Sequence, residues 1–249
     1  MSYFKKTIAL LFLGFINLNL YAELRIVSRQ PTEIFLFYSS SPGQSALDGT
    51  GRNSPFAESF LKNIGSKEPL LMVAADIASD TFTLTSQRQR PVFESYIYNN
   101  KNYSISESSS TKRYALVIGI NDYYNADVKI ANPANDAQDI TSALRKFGYE
   151  VDLRINVASS DMRSAVGDFY RKLGSDKDSE GFFWFGGIGF EIYGENYLLP
   201  ADSKIASEFE IRNSSVSLDF LLNELQLVGN NMNLIFLDAS RTSLSSSTR

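Results

Sequence analysis

From residue 114 onward the sequence alternates short apolar runs with amphipathic stretches, and that alternation leaves few folds open. Residues 114–119, 151–155, 182–185 and 234–237 are compact runs rich in β-branched and aromatic residues, the signature of strands buried on both faces. Helical patterns lie between them. Residues 135–147 set Ala137, Ile140, Leu144 and Phe147 on one face, with Gly148 as the stop. Residues 160–173 do the same with Met162, Ala165, Phe169 and Leu173 before Gly174, and residues 216–228 end at Gly229. Residues 190–192 and 196–198 suit a hairpin. Strands and helices at this spacing predict an α/β fold, a mostly parallel sheet covered by helices on both sides.

The stretch before residue 103 has its own signals. Residues 34–38 read as a buried strand, and Ser54-Pro55 pairs a helix cap with proline at the first helical position. Phe56, Phe60, Leu61 and Ile64 give that helix an apolar stripe closed by Gly65. A second amphipathic segment covers residues 70–84, and the aromatic-rich residues 93–98 form a last strand. Residues 99–112 have almost no apolar content and read as a flexible linker; residues 243–249 read as a loose tail.

Lys5 and Lys6 precede an apolar run ending at Leu20-Tyr21-Ala22, the pattern of a secretory signal peptide, with a retained anchor as the other reading. Export to a periplasmic or secreted location is the expectation, with a mature start at Glu23. Those lysines are the charges of residues 1–22, so their removal takes the net charge from −4 to −6. That balance argues against nucleic acid, and nothing after Ala22 is apolar long enough to span a membrane. The chain has no cysteine and no histidine, so it has no thiolate, no imidazole base and no disulfide. No metal or cofactor is expected.

Several segments in order resemble bacterial caspase-like domains of the metacaspase and orthocaspase type. Tyr114-Ala115-Leu116-Val117-Ile118-Gly119-Ile120 is similar to the family's first strand, and Asn132-Pro133-Ala134-Asn135-Asp136-Ala137 to the start of its first helix. Residues 194–202 resemble the segment after the catalytic histidine, and Leu237-Asp238-Ala239-Ser240-Arg241 the segment that carries the catalytic cysteine. Residues 41–44, 48–56 and 89–91 resemble the small-subunit half, which in the family follows the cysteine but here comes first. The resemblance implies a three-layer caspase-like sandwich with circularly permuted chain order. Residues 23–98 would be the small-subunit-like half, 99–112 the join and 113–242 the large-subunit-like half. Two halves exchanged between chains of a homodimer is the competing arrangement.

The same resemblance places Ile188 where the histidine belongs and Ser240 where the cysteine belongs, so it implies an inactive dyad. Asp136 and Asp238 match acidic positions of a pocket for basic side chains; the plainer reading is a helix cap and a strand end. The function implied is a pseudopeptidase that binds a peptide or protein, with a basic segment favoured, and with Ile188 flooring the cleft. A structural or dimerisation scaffold with a plugged cleft is the second reading. Residual peptidase activity through Ser240 is the third, for which Lys204 is the nearest rescuing base. Residues 48–51 suggest no more than a tight turn, and Glu191, Glu195 and Asp202 read as solvated acids flanking the hairpin.

Overall fold

A computed structural model describes residues 32–107, 110–124, 128–205 and 207–239, together with the backbone of 242–243. The leader expected at residues 1–22, Ser240 and most of the expected tail lie outside the described residues. Within them, β1 (Glu33–Tyr38) is buried along its whole length. Next come α1 (Pro55–Asn63), α2 (Leu70–Leu84) and the edge strand β2 (Val92–Tyr96). β3 (Arg113–Gly119) leads through the short pair β4 (Asp122–Tyr123) and β5 (Val128–Lys129) into α3 (Pro133–Lys146). β6 (Tyr149–Ile155), α4 (Ser159–Gly174) and β7 (Glu180–Gly187) follow. The hairpin β8 (Gly189–Ile192) and β9 (Glu195–Leu198) precedes α5 (Glu208–Ser214) and β10 (Val216–Ser217). α6 (Leu218–Val228), β11 (Met232–Ala239) and β12 (Thr242–Ser243) complete the order.

The main sheet has six strands in the order β2-β1-β11-β7-β3-β6. All neighbours run parallel except β2, which is antiparallel to β1. Alternation along each strand sends successive side chains to opposite faces. Phe35, Phe37, Phe182, Trp184 and Phe236 therefore meet Phe56 and Phe60 of α1 on one side, with Phe182 and Phe236 stacked at 5.0 Å. Leu36, Leu116, Ile118, Phe183 and Ile235 meet Phe169 of α4 and Leu221 of α6 on the other. The aromatic richness thus belongs chiefly to the core. A smaller sheet, β10-β9-β8-β12, carries the expected hairpin.

The structure corrects several expectations. The helix expected from residue 216 starts at Leu218, because residues 216–217 pair with β9. Gly174 does not stop its helix; it is the last helical residue, and Ser175 caps it. Ser243, expected in the loose tail, pairs with Glu191 in β12.

The largest correction concerns residues 99–112. Ile105 and Ser104 are buried, and the Tyr103 hydroxyl donates to Glu180 Oε2 at 2.9 Å. Glu33 accepts the N–H groups of Tyr98 (2.9 Å) and Asn99 (2.5 Å) and the Asn100 amide (2.7 Å). Burial alone would raise the Glu33 carboxyl, but these donors outweigh it and hold it below its ordinary value. The described part of this segment is a strap pinned by carboxylates, an anchorage that a count of apolar residues does not register.

Candidate functional site

The carboxyl ends of β3, β7, β11 and β1 open on the same edge of the sheet, where parallel α/β sheets gather binding groups. Close packing sets α3 there. A Cβ on Gly119 would lie 2.3 Å from the Pro133 carbonyl oxygen, so glycine at the end of β3 lets the helix start abut the strand. Asn121 Oδ1 accepts the Ala134 N–H at 2.6 Å and orients that first turn. Asp136 follows, one turn in.

The Asp136 carboxylate turns away from its own helix. It accepts the Ser54 N–H (3.0 Å) and the Asn53 amide (2.9 Å), both at the start of α1. Ser54 caps α1 by accepting the Ala57 N–H, and its hydroxyl donates to Asp238 Oδ2 at 2.5 Å. One serine thus joins two carboxylates that lie far apart in the sequence, on α3 and β11. Asp48 enters from the same loop, its carboxylate receiving the N–H groups of Ala131 (2.5 Å) and Asn132 (3.1 Å). Asp48, Asp136 and Asp238 line a cleft of about 50 Å³ together with Ala46, Ser54 and Gly187. A larger cleft of about 570 Å³ shares Leu47 and Asp48 with it and extends to Glu58, Leu84 and Arg88.

Burial pushes Asp136 up to about 7, and the neighbouring Asp238 charge adds to the rise against the donors from Asn53 and Ser54. Burial likewise lifts Asp238 to about 6, against the Ser54 hydroxyl. No ion pair reaches either group among the described residues: the nearby Arg52 is committed to Asp139 at 2.8 Å.

Ile188 sits just beyond β7. Its N–H donates to the buried Tyr123 hydroxyl at 2.6 Å, and a Cβ on Gly187 (φ 154°) would come within 2.5 Å of that hydroxyl. Its side chain is half-buried against the core on the α4 and α6 side. The expectation that Ile188 floors the cleft is corrected: Gly187, not Ile188, is among the residues lining it.

This edge of the sheet can be set beside known proteins. The caspase-domain family model matches residues 23–103 and 112–249. The chain belongs to the caspase-domain family. Among curated relatives, the human mucosa-associated lymphoid tissue lymphoma translocation protein 1 is 26% identical over 143 residues, covering 57% of this chain and 17% of that protein. Its mouse homolog is 26% identical over 129 residues, covering 52% of this chain and 15% of the relative. The chain thus spans a small part of the length of these relatives.

Within this caspase-like domain the structure brings Asp136 and Asp238 together and leaves Glu195 and Asp202 apart from them. Asp202 accepts the N–H and hydroxyl of Ser159 and so caps α4, while Glu195 receives the Tyr197 and Ser217 hydroxyls. Lys204 is exposed. Asp48, read from sequence as part of a turn, is a member of the cleft. Its neighbours Asn53 and Ser54 lie in the same family-like segment, residues 48–56, which was the available signal. No group of three or more acidic side chains is arranged to hold a metal ion among the described residues. The chain has no thiol and no imidazole, and the described residues of this cleft offer negative charge and hydrogen-bond acceptors.

Proposed function

We propose that this caspase-like domain is a pseudopeptidase: a non-catalytic module of the bacterial cell envelope that captures a basic segment of a peptide or protein. The observation that carries the reading is the buried pair Asp136 and Asp238, facing a cleft that has no cation among the described residues lining it. A lysine or arginine side chain supplies the missing charge, and desolvation makes that attraction strong. Catalysis in the family's manner needs a thiolate and a proton acceptor, and the chain has neither cysteine nor histidine. We assign the lost dyad to Ile188 and Ser240, with export directed by residues 1–22.

The chain order supports circular permutation of the domain. β1 and β2, early in the sequence, complete the sheet beside β11, and the family match falls in two pieces around residues 104–111. A monomer in light scattering fits this; an obligate dimer with exchanged halves refutes it.

The direct test measures binding of an acetylated arginine peptide and its citrulline counterpart, alongside cleavage of arginyl, lysyl and aspartyl substrates. Arginine-selective binding lost in Asp136→Asn/Asp238→Asn, without turnover, is the expected result. Turnover abolished by Ser240→Ala overturns it. The cleft's small volume, about 50 Å³, favours one second reading, a scaffold whose cleft stays empty. Absence of any arginine-selective binding would support that scaffold.

A further inference from the structure

Asp136 and Asp238 are held together by Ser54, at 3.0 Å from its N–H and 2.5 Å from its hydroxyl, and their residues are only 1% and 7% exposed. The described groups around them supply little positive charge. The loop before α1 brings the carboxylate of Asp48 and the Arg52 guanidinium, which Asp139 on the next turn of α3 already holds through two hydrogen bonds. The Asn53 amide is shared between Asp136 and Asp139. From the β4–β5 side come Lys129, paired with Asp122, and the Tyr123 hydroxyl, which burial keeps protonated. β7 adds only the backbone of Gly187. The Ser39 hydroxyl just after β1 stands near Asp238 but outside hydrogen-bonding geometry, and Asp238 Oδ1 has no hydrogen-bond partner among the described residues.

Two adjacent buried carboxylates with no countercharge among the described residues cannot both ionise without a large desolvation and repulsion cost. A proton is the smallest cation that relieves it. We propose that the pair holds one proton while the cleft is free and gives it up when a cationic side chain enters, so that capture is an exchange of cation for proton. This rests on the reading of the cleft as a site for a basic side chain. The balance is simple: the ligand keeps its own proton, the carboxyl O–H breaks, and that proton passes to solvent. The upward displacement of both carboxyls agrees with the geometry. Linkage then makes affinity for a guanidinium fall about tenfold per pH unit below neutrality, until the pair is protonated whether or not ligand is present.

The experiment is calorimetric titration of the full chain with an acetylated arginine peptide, at about pH 6 in two buffers of different ionisation enthalpy and again at about pH 8. Close to one proton released per peptide at the lower pH, with binding at least tenfold weaker there, is expected. Equal affinity at both values with no proton released overturns the exchange and leaves the cleft reading standing. No binding at about pH 8, or binding that citrulline matches, overturns the cleft reading and the exchange together. Carboxyl carbon NMR of the ligand-free protein tests the resting state without any variant. One of the pair should titrate near neutrality, and ionisation of both by about pH 5 overturns the exchange.

Discussion

Arg113 and Glu180 stand opposite each other at the starts of β3 and β7, paired at 2.9 Å inside the protein. Their side chains are 4% and 7% exposed, so neither charge has water to fall back on. Arg113 also donates to the carbonyls of Ile105 and Phe147, and Glu180 accepts from Tyr103. Removing one partner of such a pair strands the other. Glu180→Leu should cost about 3–5 kcal/mol in urea unfolding, whereas Arg113→Met combined with Glu180→Leu should recover a good part of that loss.

Glu33 should prove to be the anchor of the strap. Glu33→Ala removes the acceptor for the Tyr98 and Asn99 N–H groups and for Asn100, and hydrogen bonds to a charged group contribute about 1.5–3 kcal/mol each before the freed donors find water. A loss of about 2–3 kcal/mol is expected, with amide exchange at Tyr98 and Asn99 accelerated and protease cleavage appearing within residues 99–112. Unchanged exchange at those amides would refute the anchor.

The aspartate pair should give the protein an inverted acid response. Asp136 and Asp238 are raised in the folded state to about 7 and about 6, so each favours the fold in its protonated form. Their contribution is present in full below the unfolded carboxyl value, about pH 4, and is lost as pH rises through 6 and 7. Asp136→Asn/Asp238→Asn should therefore be more stable than the natural sequence at about pH 8, by about 1–3 kcal/mol, and the gap should close towards about pH 5. Unfolding midpoints across that range read the effect; a gap that does not change with pH would contradict it.

Gly119→Ala places a methyl 2.3 Å from the Pro133 carbonyl oxygen, a backbone atom that cannot swing aside. A destabilisation of about 2–4 kcal/mol is expected. Because the helix that must retreat carries Asp136, binding of an arginine peptide should weaken as well. Retention of full affinity in a folded Gly119→Ala protein would show that the contact does not position the cleft.

Much of the fold was legible because its signals are local. The runs at residues 34–38 and 182–185 announced buried strands, and residues 70–84 announced their helix to the residue. α5 left no comparable trace: Ile211 is its one buried residue, so residues 208–214 show no apolar stripe. The cleft was legible only in part. Asp136 and Asp238 came from the family resemblance, not from spacing. Asp48 meets its donors 83 and 84 positions away, and no periodicity encodes such a distance. Ser54 was readable as a helix cap, but its hydroxyl also serves Asp238, 184 residues on.

β1 lies between β2 and β11, with Tyr38 beside Leu237 and Glu33 beside Met232. As the chain leaves the ribosome, the first strand of the core is made early, and its parallel neighbour arrives only after nearly two hundred further residues. Until then one edge of β1, which carries Phe35 and Phe37, has no sheet to join. The nascent chain therefore cannot close its core progressively from the amino end; the sheet is completed in one late, long-range step, which slows folding and leaves an aromatic strand open to capture by chaperones.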